Sequence, residues 1–467
     1  RMKRAKRLYT LLGILAVVSV LTFCVLNYQE KQEEIKASGE VVLSIDPEEV
    51  TAFSWEYEAL DPLSFHKDES WTYDEDSTFP VDEGQITSLL EQFRNFSAAF
   101  IIEDVTDYGQ YGLDDPICTI HITAGDTDYE ILLGNYSTMD SQRYVSTGDG
   151  NVYLASSDPL SSFNCTIRDL IANDETPAFG TVKGIEFTGE DSYTVTTQEY
   201  TDDNSYTACV EDYYYKTDGD TLLPLDSDRV EDYLRGIAGL SLTNYVTYNA
   251  GSEDLSVYGL DNPERTITVR YTDGTEDAEE ETFTLSISRD PEEKAAAESD
   301  TEEEDEEITA YARVGESEIV YQLTQSEYES LMACSYDDLR HDEAFTAGFD
   351  RVTSVDITLE GTDYTITSEG DDEERTFYYG EEEVDLGDLR SALADALATE
   401  FTSEAPTQKE EIRLTLHLDS EAYPQTELVF YRYDGDSCLA VVDGSSWALV
   451  PREAVVDLIE AVNAIVL

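Results

Sequence analysis

Tyr111-Gly112-Leu113-Asp114-Asp115-Pro116 returns 147 residues later (258 − 111) as Tyr258-Gly259-Leu260-Asp261-Asn262-Pro263. Each copy runs into an alternating stretch, Cys118-Thr119-Ile120-His121-Ile122 in the first and Arg265-Thr266-Ile267-Thr268-Val269 in the second. A period of two is that of a strand with one buried face. One structural unit has therefore been copied along the chain, and the copying decides the architecture before any site can be discussed. Within the motif, Gly112 and Gly259 permit a positive φ, and Pro116 and Pro263 set an extended lead-in to the next strand. We read Tyr111, Gly112, Leu113, Asp114 and Pro116, with Tyr258, Gly259, Leu260, Asp261 and Pro263, as a structural turn. A partner-binding role for the same residues is the alternative.

A second pair of landmarks extends the repeat. Cys165-Thr166-Ile167-Arg168-Asp169-Leu170 reappears as Cys334-Ser335-Tyr336-Asp337-Asp338-Leu339, at an offset of 169 (334 − 165). The excess of 22 residues over the first offset must be inserted in the second copy. The acidic run 290–307 lies between the landmarks and lacks apolar periodicity, so it is expected to be a disordered loop within a folded unit.

The upstream halves repeat as well. Pro80-Val81-Asp82 opens a helical stretch with Ile86, Leu89, Leu90 and Phe93 on one face, and Pro224-Leu225-Asp226 opens another with Val230, Tyr233, Leu234 and Ile237. Each Asp stands at the N-cap, where a carboxylate accepts the free amides of the first turn. A fainter third copy starts at Val384-Asp385, with Leu389, Leu393 and Leu397 on its helical face. Period-two stretches with aromatic residues precede each helix: Trp71 and Tyr73, Tyr213 and Tyr215, Phe377 and Tyr379. The third copy lacks the Tyr-Gly-Leu turn but keeps a closing hairpin, Leu439-Ala440-Val441-Val442, Gly444 and Trp447-Ala448-Leu449. The expected units are 41–173, 178–342 and a divergent 344–467. Short Gly/Asp turns join the strands, which predicts an α+β fold of tandem antiparallel meander sheets with two helices each.

Residues 8–28 carry no charge and are long enough to span hydrocarbon, which needs about 20 residues. Arg1, Lys3, Arg4, Lys6 and Arg7 precede them. Basic residues stay on the cytoplasmic side, so 1–7 is expected to be a cytoplasmic tip, 8–28 a single transmembrane helix in membrane lipid, and the remainder an ectodomain. A cleaved signal fits less well, because the apolar stretch exceeds an h-region and no Ala-x-Ala site follows. A lipid anchor on Cys24 is disfavoured by the bulky Phe23 before it. Opening at Arg1 suggests an incomplete reading frame.

The formal charge of −75 over 467 residues excludes nucleic acid as a partner, because phosphate binding requires a basic surface. Asp218-Gly219-Asp220 and Asp434-Gly435-Asp436 read as hairpin turns rather than calcium loops. Beyond Cys24, five cysteines without close pairs do not make a disulfide framework, and Cys165 and Cys334 are expected to fill equivalent small apolar slots. His66, His121, His341 and His417 are not spaced as zinc ligands. Gly444-Ser445-Ser446 lies in a turn between strands, which is wrong for a nucleophile elbow, and no nucleotide-binding G-x-x-x-x-G-K loop is present. Acidic pairs are too numerous to single out an acid and a base. No catalytic, cofactor-binding or metal-binding residue is expected.

With its Tyr-Gly-Leu-Asp-x-Pro turn placed after a strand-strand-helix lead-in and before a meander that closes in a helix, the chain resembles the DUF4340 domain proteins. The resemblance covers the first two units well and the third weakly. The family has no established activity. Its members often stand beside an ABC-2-type exporter and an auxiliary subunit, which implies a non-enzymatic, membrane-anchored accessory or scaffold subunit facing outward, with a permease or auxiliary protein as partner. An extracytoplasmic hydrolase acting on cell-wall glycan or peptide is the alternative.

Overall fold

The computed structural model describes residues 39–201, 206–275, 277–299, 307–371 and 375–467. The basic tip 1–7 and the apolar span 8–28 lie outside the described residues. No helix among the described residues is long and apolar enough to cross a membrane.

Alternating apolar residues make three nine-stranded sheets. The first contains β1 (Glu40–Leu43), β2 (Val50–Tyr57), β3 (Leu63–Lys67), β4 (Trp71–Tyr73), β5 (Phe96–Ile102), β6 (Cys118–Ala124), β7 (Thr127–Ser137), β8 (Gln142–Ser146) and β9 (Val152–Ala155), with helices α1 (Glu83–Glu91) and α2 (Leu160–Phe163). The second contains β10 (Thr181–Gly189), β11 (Tyr193–Thr197), β12 (Tyr214–Asp218), β13 (Thr221–Pro224), β14 (Tyr245–Thr247), β15 (Arg265–Thr272), β16 (Glu281–Arg289), β17 (Ala310–Val314) and β18 (Val320–Leu323). Its helices are α3 (Ser227–Ala238), α4 (Pro291–Ser299), α5 (Gln325–Met332) and α6 (Tyr336–Leu339). The third contains β19 (Val352–Leu359), β20 (Thr362–Glu369), β21 (Thr376–Tyr379), β22 (Glu382–Val384), β23 (Glu400–Phe401), β24 (Glu410–Leu418), β25 (Gln425–Arg432), β26 (Ser437–Val442) and β27 (Ser445–Pro451), with α7 (Gly387–Ala394) and α8 (Arg452–Val466).

The hydrogen-bonded orders are β1-β5-β9-β8-β7-β6-β2-β3-β4, β13-β12-β11-β10-β15-β16-β17-β18-β14 and β22-β21-β20-β19-β24-β25-β26-β27-β23. Every neighbouring pair is antiparallel, as β2·β6, β10·β15 and β19·β24 at the three centres illustrate. The fold is therefore α+β and repeated. Each sheet is two meanders joined at that central pair, with the strand after the first helix crossing to lie beyond the closing hairpin. The third unit keeps this topology in full although it lacks the turn motif.

The N-caps form where the sequence places them. Asp82 accepts from the Gln85 amide and Asp226 from the amides of Asp228 and Arg229. In the third unit Asp385 accepts from the Gly387 amide, while Leu386 holds the cap position. Ile86, Leu89 and Leu90 are buried under the first sheet, Val230, Leu234 and Ile237 under the second, and Leu389 and Leu393 under the third. Leu397, expected on the third helical face, lies beyond α7 and is exposed.

Three expectations change. The run 290–307, expected to be a disordered loop, begins with helix α4 over Pro291–Ser299. Asp290 accepts from the amides of Glu292 and Glu293, the cap that periodicity alone does not register. The excess of 22 residues is also not confined to that run. The β16–β17 connection accounts for most of it, and the β15–β16 connection, 273–280 against only 125–126 between β6 and β7, takes up the rest. Finally, the helix complement is not uniform, since the second sheet carries four helical segments.

By contacts the chain divides between Asn173 and Asp174. The second and third sheets belong to one compact unit, Asp174–Leu467. Ala208, from the β11–β12 connection, packs into the third sheet's core, and Arg351 donates to the Tyr200 hydroxyl at 2.9 Å. Each sheet has its own apolar core, but the chain between them is tied to both.

Candidate functional site

The two Tyr-Gly-Leu turns are local structures. Gly112 and Gly259 adopt φ of 68° and 69° after a single 3-10 turn. The following leucines, Leu113 and Leu260, are buried. Tyr111 packs on Tyr144 and Tyr258 on Tyr311, at ring separations of 4.9 and 5.0 Å. Pro116 and Pro263 lie just ahead of β6 and β15. The Asp114 and Asp261 side chains are exposed, and neither makes a hydrogen bond among the described residues. None of these ten residues joins the titratable cluster described next.

That cluster forms where the chain leaves the second sheet for the third. The amide of Asp226 donates to the Leu339 carbonyl, which fixes the end of α6 against the start of α3. The first unit has the same clasp, from the Asp82 amide to the Leu170 carbonyl. Past this point the copies differ: Leu170-Ile171-Ala172 in the first corresponds to Leu339-Arg340-His341 in the second. Glu343 then bridges to Leu397 in antiparallel fashion, and the Ala398 amide donates to the Asp342 carbonyl. His341 is thereby held between two sheets.

Its ring faces three carboxylates. Nε2 is 2.7 Å from Asp212 Oδ1, and Nδ1 lies 3.6 Å from Glu343 and 3.9 Å from Asp226. The Asp212 side chain is 1 % exposed and also accepts from the Thr207 hydroxyl at 2.6 Å. Arg229 completes the network, 3.2 Å from Asp226 and 2.5 Å from Asp342. Burial alone would lower the imidazole's pKa, but the carboxylates of Asp212, Glu343 and Asp226 outweigh it and raise it to about 10. The same contact with His341 holds Glu343 below the usual carboxylate range. His341 is a cation at neutral pH.

Cys209, Asp212 and His341 bring possible ligand atoms within 4.8 Å of one another, as do Asp226, His341 and Glu343. Burial pushes the Cys209 thiol up to about 12, so both the thiol and the imidazole hold their protons. The arrangement is an ion-pair node between sheets. Sequence spacing misses the node because 129 residues separate Asp212 from His341. The readable signal is the mismatch between copies, Ala172 against His341.

His341 and Glu343 stand between two cavities. One, of about 220 Å³, is lined by acidic residues including Asp212, Asp226 and Asp228. The other, of about 250 Å³, is lined by Tyr336 and Arg340 from the second sheet's closing segment and by Tyr423, Thr426 and Trp447 from the third. Ser445 and Ser446, unsuited to a nucleophile elbow, line it as well.

The chain matches the Domain of unknown function (DUF4340) family over residues 71–219 and again over 216–415. It belongs to that family. The first match starts at β4 and ends in the turn after β12, and the second runs from β12 into β24. The first match thus runs from β4 of one sheet to the equivalent strand of the next, whereas the second continues past the equivalent β21 to end in β24 at the centre of the third sheet. No curated protein and no solved structure matches the chain.

Proposed function

We propose that this chain is a membrane-anchored, extracytoplasmic, non-enzymatic subunit that serves as an accessory or scaffold beside an ABC-2-type exporter. What supports the non-enzymatic part is the geometry of the node, where the His341 ring is paired with Asp212 and faces Glu343 and Asp226. General acid–base catalysis needs a group that exchanges its proton near the working pH. His341 is held as a cation up to about pH 10 by the carboxylates around it. Burial pushes the Cys118 thiol up to about 12 and those of Cys165 and Cys438 to about 11, away from the thiolate a nucleophile requires. The chemistry built at this node is cohesion between sheets.

The anchor reading rests on the uncharged span 8–28 with its basic flank, and the exporter on the family resemblance. The test is purification of the tagged full chain from membranes in mild detergent, with mass-spectrometric identification of what accompanies it. An ATPase and a permease in stoichiometric yield are expected. Recovery of the chain alone, with hydrolysis of cell-wall glycan or peptide by the same preparation, would replace this reading with the hydrolase.

A further inference from the structure

We propose that Cys209, Asp212 and His341 form a binding site for a zinc ion that clips the second sheet to the segment leading into the third, a function beyond scaffolding. Cys209 and Asp212 stand three residues apart in the turn before β12, which closes where the Asp212 amide donates to the Cys209 carbonyl at 3.4 Å. Two ligand side chains separated by two residues is the spacing by which zinc loops present a pair of ligands to one ion. The Thr207 hydroxyl braces the pair, since it accepts from the Cys209 amide at 3.0 Å and donates to Asp212 at 2.6 Å. His341 comes from the far side of the junction, and its Nε2 lies 2.7 Å from Asp212 Oδ1. The Cys209 sulfur, an Asp212 oxygen and a His341 ring nitrogen all fall within 4.8 Å of one another.

The donor set selects the ion. A thiolate with an imidazole and a carboxylate suits zinc, whereas magnesium and calcium take oxygen ligands. Around a tetrahedral zinc, with bonds of about 2.0–2.3 Å, ligand atoms stand roughly 3.3–3.8 Å apart, so small side-chain shifts bring the three to one ion. The other ring nitrogen has the support a ligating histidine needs. Nδ1 lies 3.6 Å from Glu343 Oε2, an oxygen with no hydrogen bond of its own, and 3.9 Å from Asp226. A carboxylate on that nitrogen fixes the ring and strengthens it as a ligand. Asp226 is itself committed to capping α3 and to Arg229, so it supports the site and does not ligate. The cavity of about 220 Å³ at this point is lined by Glu211, Asp212, Asp226, Asp228 and Glu343, with His341 as the one cation in its lining. That balance draws in a cation, and water from the cavity fills the fourth position. Zinc replaces the thiol proton and the Nε2 proton, which pass to solvent. The first copy has Ala172 in place of His341 and still folds into a nine-stranded sheet, so the topology does not require the cluster.

The experiment strips the detergent-solubilised full chain of metal with a chelator, removes the chelator, and titrates zinc and cobalt in separate samples, with magnesium and calcium as controls. One zinc per chain should bind in competition with a chromophoric chelator and should raise the unfolding midpoint. Cobalt at the site should show a thiolate-to-metal charge-transfer band, which carboxylates alone do not produce. Cys209→Ser should abolish the band and weaken zinc binding by at least about 10-fold, while Cys165→Ser, away from the junction, should change neither. His341→Gln should weaken zinc to a similar degree, and Cys209→Ser keeps the test valid if His341→Gln fails to fold. The proposal is overturned if zinc binds only weakly and in several equivalents, as to an acidic surface, or if magnesium or calcium competes at equal concentration. It is equally overturned if Cys209→Ser keeps the band or binds zinc like the parent chain. Any of these outcomes together with intact co-purification of transporter subunits would remove the zinc site and leave the scaffold reading standing. A chain that binds one zinc through Cys209 but is recovered without those subunits would do the reverse.

Discussion

At Gly112 a Cβ would lie 2.6 Å from Asn135 Cγ, and at Gly259 it would lie 2.7 Å from Ser288 Oγ. Both glycines also hold a positive φ, where a β-branched residue is least tolerated. Gly112→Val and Gly259→Val should therefore each cost their own unit more than about 1 kcal/mol, read as a lower urea midpoint. Asp114→Asn and Asp261→Asn should leave the same curves unchanged, since both carboxylates are exposed and without a hydrogen bond. Loss of cellular function with intact unfolding would reassign those carboxylates to a partner. His341 makes a different prediction. Its pKa is raised on folding, so its contribution to stability is complete below about 6.5 and is lost as pH rises through about 10. Glu343, lowered on folding, has the opposite sign: its contribution holds above 4.5 and fades as pH falls through its depressed value. The difference in unfolding free energy between the parent chain and His341→Gln should accordingly shrink between pH 7 and pH 11. At pH 7, removing one partner of this buried pair should cost about 3–5 kcal/mol. A pH-independent difference would show that His341 acts by packing alone. The turn was legible from residues because its determinants are adjacent in sequence. The His341 node was not, because Asp212 and Asp226 arrive from distant parts of the chain and only Glu343 is its neighbour in sequence.

The acidic insert shows how local chemistry can be overlooked when periodicity is the only guide. Helix α4 has little amphipathic pattern, yet Asp290 caps it, Glu293 accepts from the Thr309 amide, and Lys294 reaches Glu264 at 2.7 Å. Glu264 is only 9 % exposed and also accepts from the Arg289 amide and the Tyr328 hydroxyl. Its carboxyl feels burial first, which raises the pKa, but Lys294 and the two other donors bring the net shift below the ordinary value. Lys294→Met should therefore destabilise the second sheet by about 1–3 kcal/mol at pH 7, the range for removing a partner from a buried charged group. The deficit should diminish as pH falls and Glu264 becomes neutral. An unchanged urea midpoint would mean that α4 is an ornament on the β16–β17 connection. The caps at Asp82 and Asp226 were readable because capping is a matter of three residues. The third sheet's complete topology was not, because its register depends on pairings such as Val355 with Leu416, which no turn motif announces.

At the scale of the molecule, charge and repetition act together. Copying an acidic unit accumulates like charge, and a net charge of −75 keeps the surface solvated while working against compactness. The same charge gives an ectodomain no electrostatic attraction to an anionic bilayer, so the basic tip and the span 8–28 would carry the whole attachment. This makes orientation a sharp test of the anchor reading. On that reading, protease added to intact cells should digest the region after Tyr28 and spare the basic tip. Exposed turns such as Asp218-Gly219-Asp220 should be cut before the sheets, whose inner strands are paired on both sides. High salt should leave the protein in the membrane fraction, because attachment by a spanning helix does not depend on screened surface charges. Release by salt alone, or an ectodomain protected until the membrane is opened, would overturn the assignment of span and side. The scaffold reading would then lose its location.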